Sequence, residues 1–243
     1  MFNRTYGYVL KNLATRRGYW GQWYYKARYK KVLEHLSKYS QDKEAIILEL
    51  GCGYGVYAKY LTEIGCKCSY VGCDIDSNAL RNAHRESNFD YVLCDIHQLP
   101  FKERSAQLVL CSEVLEHLVS PYKTLLNICK TTSRTLIITF PKERVLSAFR
   151  DRHPEHVSEI DKETVVNLLI SRKFKLVQIF HIFSSFIPCG ILEFLGIPRN
   201  GLTQTIVGLV DKLLKKIIPS TLVPHKTILI EAKRMRIDSV KGL

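Results

Sequence analysis

The sequence lacks the patterns that several large classes of protein depend on. None of its eight cysteines forms a C-x-x-C pair, the spacing typical of cysteine-held metals. No apolar run approaches the ~18 residues that a membrane-spanning helix needs, and no glycine-rich loop ends in the G-K-[ST] of a P-loop. Acids are also in the minority, 23 against 36 Lys and Arg, so the net charge is +13. Such a charge favours an anionic partner: a nucleotide, a nucleic acid or a lipid surface.

The cysteines and the first residues together indicate a cytoplasmic protein. Four cysteines lie within or beside apolar, strand-like runs, as reduced and buried thiols do. Cys66, Cys68 and Cys73 form a local cluster that has no fourth ligand for a metal. The opening stretch MFNRTYGYVLKN holds no apolar core followed by a cleavage site, so we expect no secretory signal. Peripheral contact with a membrane stays open as an alternative.

The first 43 residues form a basic, aromatic segment that we expect to be helical. Residues 1–40 contain nine Lys and Arg against a single acid, Glu34, and ten aromatic side chains. The favoured interpretation is a helical flap whose rings pack on the main domain while its lysines face water. A surface for nucleic acid or lipid headgroups is the alternative.

Residues 44–243 have the sequence pattern of a single α/β domain. Short apolar runs without alternation suit strands that are buried on both faces, and helix-length spacers separate them. These runs are AIILEL, CSYVGCDI, YVLCDI, LVLCS and TLIITF, followed later by FKLVQIFHIF and HKTILIEAKR. The pattern predicts a doubly wound, mostly parallel sheet.

A segment of about forty residues separates the last two predicted strands, too long for a structureless loop in a compact domain. Apolar residues recur in it at helical spacing from Leu202 to Ile217, with three lysines off that stripe. We therefore predict a helical insertion at about 185–224. It either packs on the core as a lid or serves as a peripheral membrane helix or an entrance wall for an apolar substrate.

The strongest local motif is ELGCGYG, an apolar strand that ends in Glu49 and is followed by Gly51, Gly53 and Gly55. Glycines there let the backbone approach a ligand closely, and the helix that follows offers free N–H donors. The spacing differs from the G-x-G-x-x-G of dinucleotide sites. A carboxylate before the turn would repel a pyrophosphate but attract a cationic, amino-acid-like cofactor.

Two further strand-like runs also end in carboxylates. Asp74 ends VGCD, about where a doubly wound fold brings an acid to ribose hydroxyls, and we prefer it to Asp76, which lies further into the turn. Asp95 ends YVLCD. Because open α/β sheets bind ligands at the carboxyl ends of their strands, this repeated placement predicts a nucleoside-type cofactor site.

The chain resembles the class I S-adenosylmethionine-dependent methyltransferases over about 45–183 and again at 226–234. The matching pieces are ELGCGYG, VGCDID, CDIHQLPF, LVLCSEVLEHL and TLIITFP. The resemblance implies a seven-stranded sheet with an antiparallel last strand, and S-adenosylmethionine as cofactor. It also implies its contacts: Glu49, Gly51, Gly53 and Gly55 beside the methionine part, Asp74 beside the ribose, and Asp95 with Ile96 beside the adenine.

The candidate catalytic residues are Glu113, Glu116 and His117, which follow the run LVLCS at positions that share one helical face. With His156 they could bind Mg²⁺ or Mn²⁺. The pattern is similar to the E-x-x-E-H and later His of small-RNA 2′-O-methyltransferases and to motifs in quinone-pathway O-methyltransferases. The alternatives are a metal-free polar role, with His117 as general base, and acids that merely stabilise a helix start.

These features predict an enzyme that transfers a methyl group from S-adenosylmethionine to a small-molecule, lipid or quinone-like acceptor, most favourably at oxygen. The basic amino terminus and the amphipathic insertion motivate the lipid-like acceptor. An RNA ribose 2′-O-methyltransferase is the first alternative, less favoured because no RNA-binding module is visible. A cofactor-binding partner subunit without catalysis is the second.

Overall fold

The computed structural model describes residues 22–142, 156–183 and 226–235, and six separate helical positions between 206 and 217. The first 21 residues of the predicted basic segment, and most of the predicted insertion at 185–224, lie outside the described residues. Within the described part, no helix is both long enough and apolar enough to cross a membrane.

Seven strands and five α-helices follow one another along the described chain. The strands are β1 (Ile46–Leu50), β2 (Ser69–Asp74), β3 (Asp90–Leu93), β4 (Ala106–Ser112), β5 (Thr132–Lys142), β6 (Phe174–Phe183) and β7 (Lys226–Arg234). The helices are α1 (Gln22–Leu36), α2 (Val56–Glu63), α3 (Ser77–Glu86), α4 (Pro121–Thr131) and α5 (Lys162–Ser171). Two 3₁₀ turns, Ile96–Gln98 and Leu115–His117, follow β3 and β4.

All seven strands pair in one sheet, in the order β3-β2-β1-β4-β5-β7-β6. The first five are parallel, and β7 lies antiparallel between β5 and β6. The doubly wound, mostly parallel, seven-stranded sheet predicted from the sequence is therefore confirmed, including its antiparallel last strand.

The sheet separates two hydrophobic cores. Along β1, Ile47 faces the core shared with α1 and α2, whereas Leu48 and Leu50 face the core shared with α4 and α5. This burial on both faces explains why the strands read as unbroken apolar runs. Glu49 points to the same side as Ile47, so its carboxylate lies beneath α2 and is almost fully buried.

Helix starts follow the local signals in the sequence. Pro121 occupies the first turn of α4 after Ser120, where its missing N–H costs nothing. The Asp161 carboxylate accepts a hydrogen bond from the Thr164 N–H (2.7 Å) and so caps α5. At the other end of α4, the Arg234 guanidinium of β7 donates to the carbonyls of Thr132 (2.9 Å) and Cys129.

Cys66 and Cys68 lie close together in the turn before β2, with 5.6 Å between their Cα atoms. Cys52, Cys73, Cys94, Cys111 and Cys129 are free thiols.

Candidate active site

The parallel strands end level with one another. Leu50, the last residue of β1, pairs with Cys73 of β2 on one side and with Cys111 of β4 on the other. Ser112 of β4 in turn pairs with Thr139 of β5. The residues that follow these positions therefore share one edge of the sheet, called the rim below, where α/β folds bind their ligands.

The glycine-rich turn after β1 is folded back onto β2. The N–H groups of Gly51 and Cys52 both donate to the Cys73 carbonyl, at 2.8 and 2.9 Å. The Gly53 N–H donates to the Asp74 carboxylate at 2.7 Å. All three glycines of the turn have positive φ, between 51° and 71°, which ordinary residues adopt only under strain.

The three glycines differ in what a side chain would meet. A Cβ at Gly51 would overlap the Val114 side chain, and one at Gly55 would lie 2.8 Å from the Ala83 Cβ. At Gly53, by contrast, no described atom beyond its chain neighbours lies within 4 Å of the Cβ position. Gly53 therefore borders open space at the rim, where the backbone can contact a ligand directly.

Asp74 and Asp76 make different contacts. Asp76 caps α3 by accepting hydrogen bonds from the N–H groups of Asn78 (2.8 Å) and Ala79 (3.2 Å). Asp74 is half-buried at the rim and joins the glycine turn to the end of β2. Its carboxylate is thus held beside the open space at Gly53.

Asp95 lies next to this site, because the Cys94 N–H donates to the Asp74 carbonyl at 3.0 Å. Its carboxylate accepts from the His97 N–H at 2.9 Å and lies 2.7 Å from His97 Nδ1. These hydrogen bonds lower the pKa of Asp95, so it is ionised at neutral pH. Ile96 begins the 3₁₀ turn and packs half-buried against the core, leaving an apolar edge beside the carboxylate.

Glu49 is 3% exposed and accepts a hydrogen bond from the Tyr70 hydroxyl. The pKa of Glu49 is raised to about 8, chiefly by burial; the Tyr70 hydrogen bond lowers it and the charge of Asp74 raises it. At neutral pH Glu49 is therefore mostly protonated in the absence of a ligand. A cationic group placed nearby would favour its ionised form.

Glu113 does not share a helical face with Glu116 and His117, because the chain leaves β4 through a turn and not through an α-helix. Glu113 has a φ of +56°, and Leu115–His117 is a 3₁₀ turn. The Glu113 carboxylate forms an ion pair with Arg28 of α1 (2.8 Å) and accepts from the Thr139 hydroxyl (3.1 Å).

Glu116, His117 and His156 do come together. One ligand atom from each lies within 4.8 Å of the others, and the two imidazole rings pack edge to face at 4.9 Å. The N–H groups of Val157 and Ser158 donate to the Glu116 carbonyl (2.9 and 3.0 Å), and these hydrogen bonds fix the segment that carries His156. A carboxylate and two imidazoles fit a divalent cation, and Glu113 stands outside this group in the described structure.

Residues 48–135 match the family model described as a methyltransferase domain. The matched region runs from β1 into β5 and holds the glycine turn and all the rim carboxylates described above. The chain contains a class I methyltransferase domain. This confirms the family expected from the motifs, the S-adenosylmethionine-dependent methyltransferases.

Curated relatives of the methyltransferase domain are distant. The chain is 23% identical to an uncharacterized protein of Methanocaldococcus jannaschii, over 65% of this chain and 72% of that one. It is 32% identical to a fatty-acid O-methyltransferase of Mycolicibacterium smegmatis, over 34% of this chain and 32% of that one. It is 36% identical to the phthiotriol/phenolphthiotriol dimycocerosates methyltransferase of Mycobacterium tuberculosis, over 26% of this chain and 25% of that one. The matches thus span a third or less of the two named enzymes.

Solved structures share the fold. A SAM-dependent methyltransferase from Archaeoglobus fulgidus covers 84% of this chain, with 92% of its own length, at a TM-score of 0.60 and 19% identity. Magnesium protoporphyrin IX methyltransferase from Synechocystis PCC 6803 with bound SAM covers 90% of this chain, with 86% of its own length, at a TM-score of 0.58 and 14% identity.

Sequence reasoning missed two partners of the methyltransferase domain's site residues. Tyr70, which hydrogen-bonds Glu49, is 21 residues away along the chain but lies on the neighbouring strand. The alternation within β2 could have placed it there. Arg28, which pairs with Glu113, gave no local signal, because it is one of many basic residues in the amino-terminal segment.

Proposed function

We propose that the protein transfers the methyl group of S-adenosylmethionine to an oxygen atom of a lipid-like acceptor. The observation that carries the proposal is the open space among the described residues at Gly53, beside the Asp74 carboxylate, whose charge acts on the buried Glu49 carboxyl group. A nucleoside with a cationic tail has the shape and charge to fill it. The named relatives support the acceptor class, since one is called a fatty-acid O-methyltransferase.

The rim residues would each hold one part of the donor. Gly53 would approach the methionine part, whose positive charge favours ionisation of Glu49. Asp74 would accept hydrogen bonds from the ribose hydroxyls, and Asp95 with Ile96 would border the adenine. S-adenosylmethionine carries its own activated methyl group, so the protein's task is to orient donor and acceptor and to exclude water.

His117 is the residue best placed to act on the acceptor. A neutral imidazole at this point would accept the proton of an acceptor hydroxyl during transfer. Glu116, His117 and His156 are alternatively the residues that would hold Mg²⁺ or Mn²⁺, which lowers the pKa of a bound hydroxyl. Glu113 takes neither role in this proposal, because the carboxylate is already engaged by Arg28 and Thr139.

The described positions of the insertion add support for an apolar acceptor. Ile206, Leu209, Val210, Leu213 and Ile217 are helical and between 39% and 77% exposed. This exposure favours the entrance-wall or membrane-surface interpretation over a lid packed on the core. Contact of this apolar stripe with an anionic lipid surface is part of the proposal, as is location in the cytoplasm.

The decisive experiment incubates the protein and radiolabelled S-adenosylmethionine with separated lipid, RNA, protein and small-metabolite fractions. We expect label in the lipid fraction. Mild alkali then distinguishes the acceptor atom, because it releases methanol from a methyl ester and leaves a methyl ether intact.

Two other outcomes would overturn the lipid acceptor. Label in RNA, together with salt-dependent retention of the protein on RNA, would identify the ribose 2′-O-methyltransferase that the net charge of +13 favours. Binding of the donor without transfer to any fraction, with Mg²⁺ or Mn²⁺ present, would identify a non-catalytic partner subunit.

A further inference from the structure

Glu113 has a backbone conformation that its own side chain disfavours. Its φ of +56° lies in the left-handed region, and it is one of three non-glycine residues of the described chain found there. Residues persist in such a conformation only when the surrounding contacts impose it, and they concentrate at functional sites. The contacts of Glu113 show what imposes it here.

Three contacts among the described residues hold Glu113 from two sides. Its N–H donates to the Thr139 carbonyl at 2.9 Å, and one carboxylate oxygen accepts from the Thr139 hydroxyl at 3.1 Å. The other carboxylate oxygen lies 2.8 Å from an Arg28 nitrogen, in an ion pair whose side chains are 7% and 13% exposed. The sheet thus fixes the backbone of Glu113, while helix α1 fixes its side chain.

The same contacts continue to the glycine turn. The Thr139 hydroxyl lies 2.9 Å from the Ser112 hydroxyl, which lies 3.3 Å from the hydroxyl of Tyr57 in the first turn of α2. The Tyr57 ring packs on Tyr29, the neighbour of Arg28, with 5.2 Å between the ring centroids. Helix α1 is therefore connected to the helix that follows the cofactor turn as well as to the end of β4.

The turn at Glu113 decides where the next residues go. Immediately after it the chain forms the 3₁₀ turn that carries Glu116 and His117 toward His156. Without the left-handed residue the chain would leave β4 in another direction. The position of the His117 imidazole thus depends on the contacts of Glu113, among them the ion pair with Arg28 of helix α1.

We propose that Arg28 and Glu113 are positioning residues: their ion pair holds the turn after β4 so that Glu116 and His117 face the acceptor, which makes helix α1 a part of the active site. This inference rests on the proposed methyl transfer. It assigns to α1 a role in turnover, beyond covering the hydrophobic core.

The first test replaces Arg28 with Met, which fills the same space without charge, and compares it with Arg28→Lys. We expect Arg28→Met to lower kcat by about 10²-fold, the usual cost of a misplaced reacting group, and to leave KM for S-adenosylmethionine nearly unchanged. Arg28→Lys keeps the charge and should restore most of kcat. Lys30→Met, an exposed residue of the same helix, is the matched control and should behave as wild type.

The second test uses Glu113→Gly, because glycine adopts the positive φ without strain but cannot pair with Arg28. If the ion pair positions the turn, kcat falls as far as in Arg28→Met although the fold is retained. A kcat close to wild type in Glu113→Gly, or an Arg28→Met defect that lies in KM alone, overturns the proposal.

A third measurement does not depend on activity. Hydrogen exchange should be faster in Arg28→Met than in wild type or Lys30→Met at the amides of Glu113 and His117, which donate to the carbonyls of Thr139 and Val114. Unchanged exchange there overturns the positioning role. A wild-type protein that transfers no methyl group, with faster exchange in Arg28→Met, would count against the proposed function alone.

Discussion

Gly53 and Gly65 have the same backbone conformation in different surroundings. Both have positive φ (51° and 65°), and within the described structure neither has an atom other than those of its chain neighbours within 4 Å of the position that a Cβ would take. Gly53 lies at the rim, whereas Gly65 lies in the turn before β2, at the opposite end of the parallel strands. Any difference between substitutions at the two sites therefore reports on the ligand and not on strain.

We expect Gly53→Val to abolish donor binding, because the side chain would enter the space that the methionine part of the donor would occupy. Gly65→Val should bind the donor as wild type does. Both variants should lose a similar free energy of unfolding, about 1–2 kcal/mol for the left-handed backbone. Titration calorimetry with S-adenosylmethionine measures the affinity, and equal affinities for the two variants would show that the glycine turn is not the donor site.

The raised pKa of Glu49 predicts that donor affinity depends on pH. Its pKa of about 8 means that a cationic donor must displace a proton at neutral pH. Donor affinity should therefore rise between pH 6.5 and 8.5, and binding at pH 7 should release a proton. Calorimetry in two buffers of different ionisation enthalpy measures that proton, and Glu49→Gln, which cannot titrate, should release none. A pH-independent affinity in wild type would place the cationic group elsewhere.

The same carboxyl group affects stability without any ligand. A raised pKa in the folded state means that the folded protein binds the proton more tightly, so this contribution is complete below pH ~4.5 and is lost as pH rises toward 8. The loss is at most about 1.4 kcal/mol per pH unit. Glu49→Gln should therefore gain stability over wild type as pH rises from 6 to 8 in urea unfolding. A constant difference would mean that Glu49 is ionised in the folded protein.

Among the elements, helix α1 depends on a buried pair at its carboxyl end. His35 Nδ1 lies 3.2 Å from the Glu231 carboxylate of β7 and 3.3 Å from Lys38 Nζ. Burial lowers the pKa of His35, Glu231 and Glu34 oppose that effect, and Lys38 and Lys31 add to it. The imidazole is therefore neutral at pH 7 in the folded protein.

Acid should loosen this attachment. Because the folded pKa of His35 lies below its unfolded value of about 6.5, the stability it contributes is present above that pH and is lost as pH falls below it. We expect His35→Gln to lose less stability than wild type between pH 7 and 5.5 in urea unfolding. His84→Gln, at an exposed position on α3, is the control and should follow wild type. If stability falls equally with pH in all three proteins, His35 does not contribute to the acid sensitivity.

The elements were predictable from sequence to the extent that their signals are local. The unbroken apolar runs predicted the strands. Pro121 at the start of α4 and Asp161 at the cap of α5 are local signals of the same kind, because each effect acts within a few residues. Asp74 ends β2, Glu49 is the penultimate residue of β1, and Asp95 follows β3 by two residues, so the positions of all three relative to the strands were predictable from the apolar runs. The turn at Glu113 was not predictable, since it depends on Arg28 and Thr139, which meet it only in the folded sheet.

At the scale of the whole molecule, the cluster of Glu116, His117 and His156 predicts a response to divalent metal. A cation that binds the folded chain and not the unfolded chain raises Tm, by several degrees when its concentration is about 100 times Kd. We expect Mn²⁺ to raise Tm of wild type and a chelator to reverse the effect. His117→Asn and His156→Asn should not respond. If Mn²⁺ does not change the Tm of wild type, the result favours His117 as a general base that acts without metal.

The place of β7 in the sheet has a consequence for biosynthesis. This strand lies between β5 and β6 but follows both in the chain. While the ribosome is still making the residues before Lys226, the facing backbone groups of β5 and β6 have no partner strand, and exposed strand edges associate with one another between chains. A nascent chain that stalls before this point is therefore a substrate for chaperones and proteases, and the methyltransferase domain is completed only when its last strand emerges.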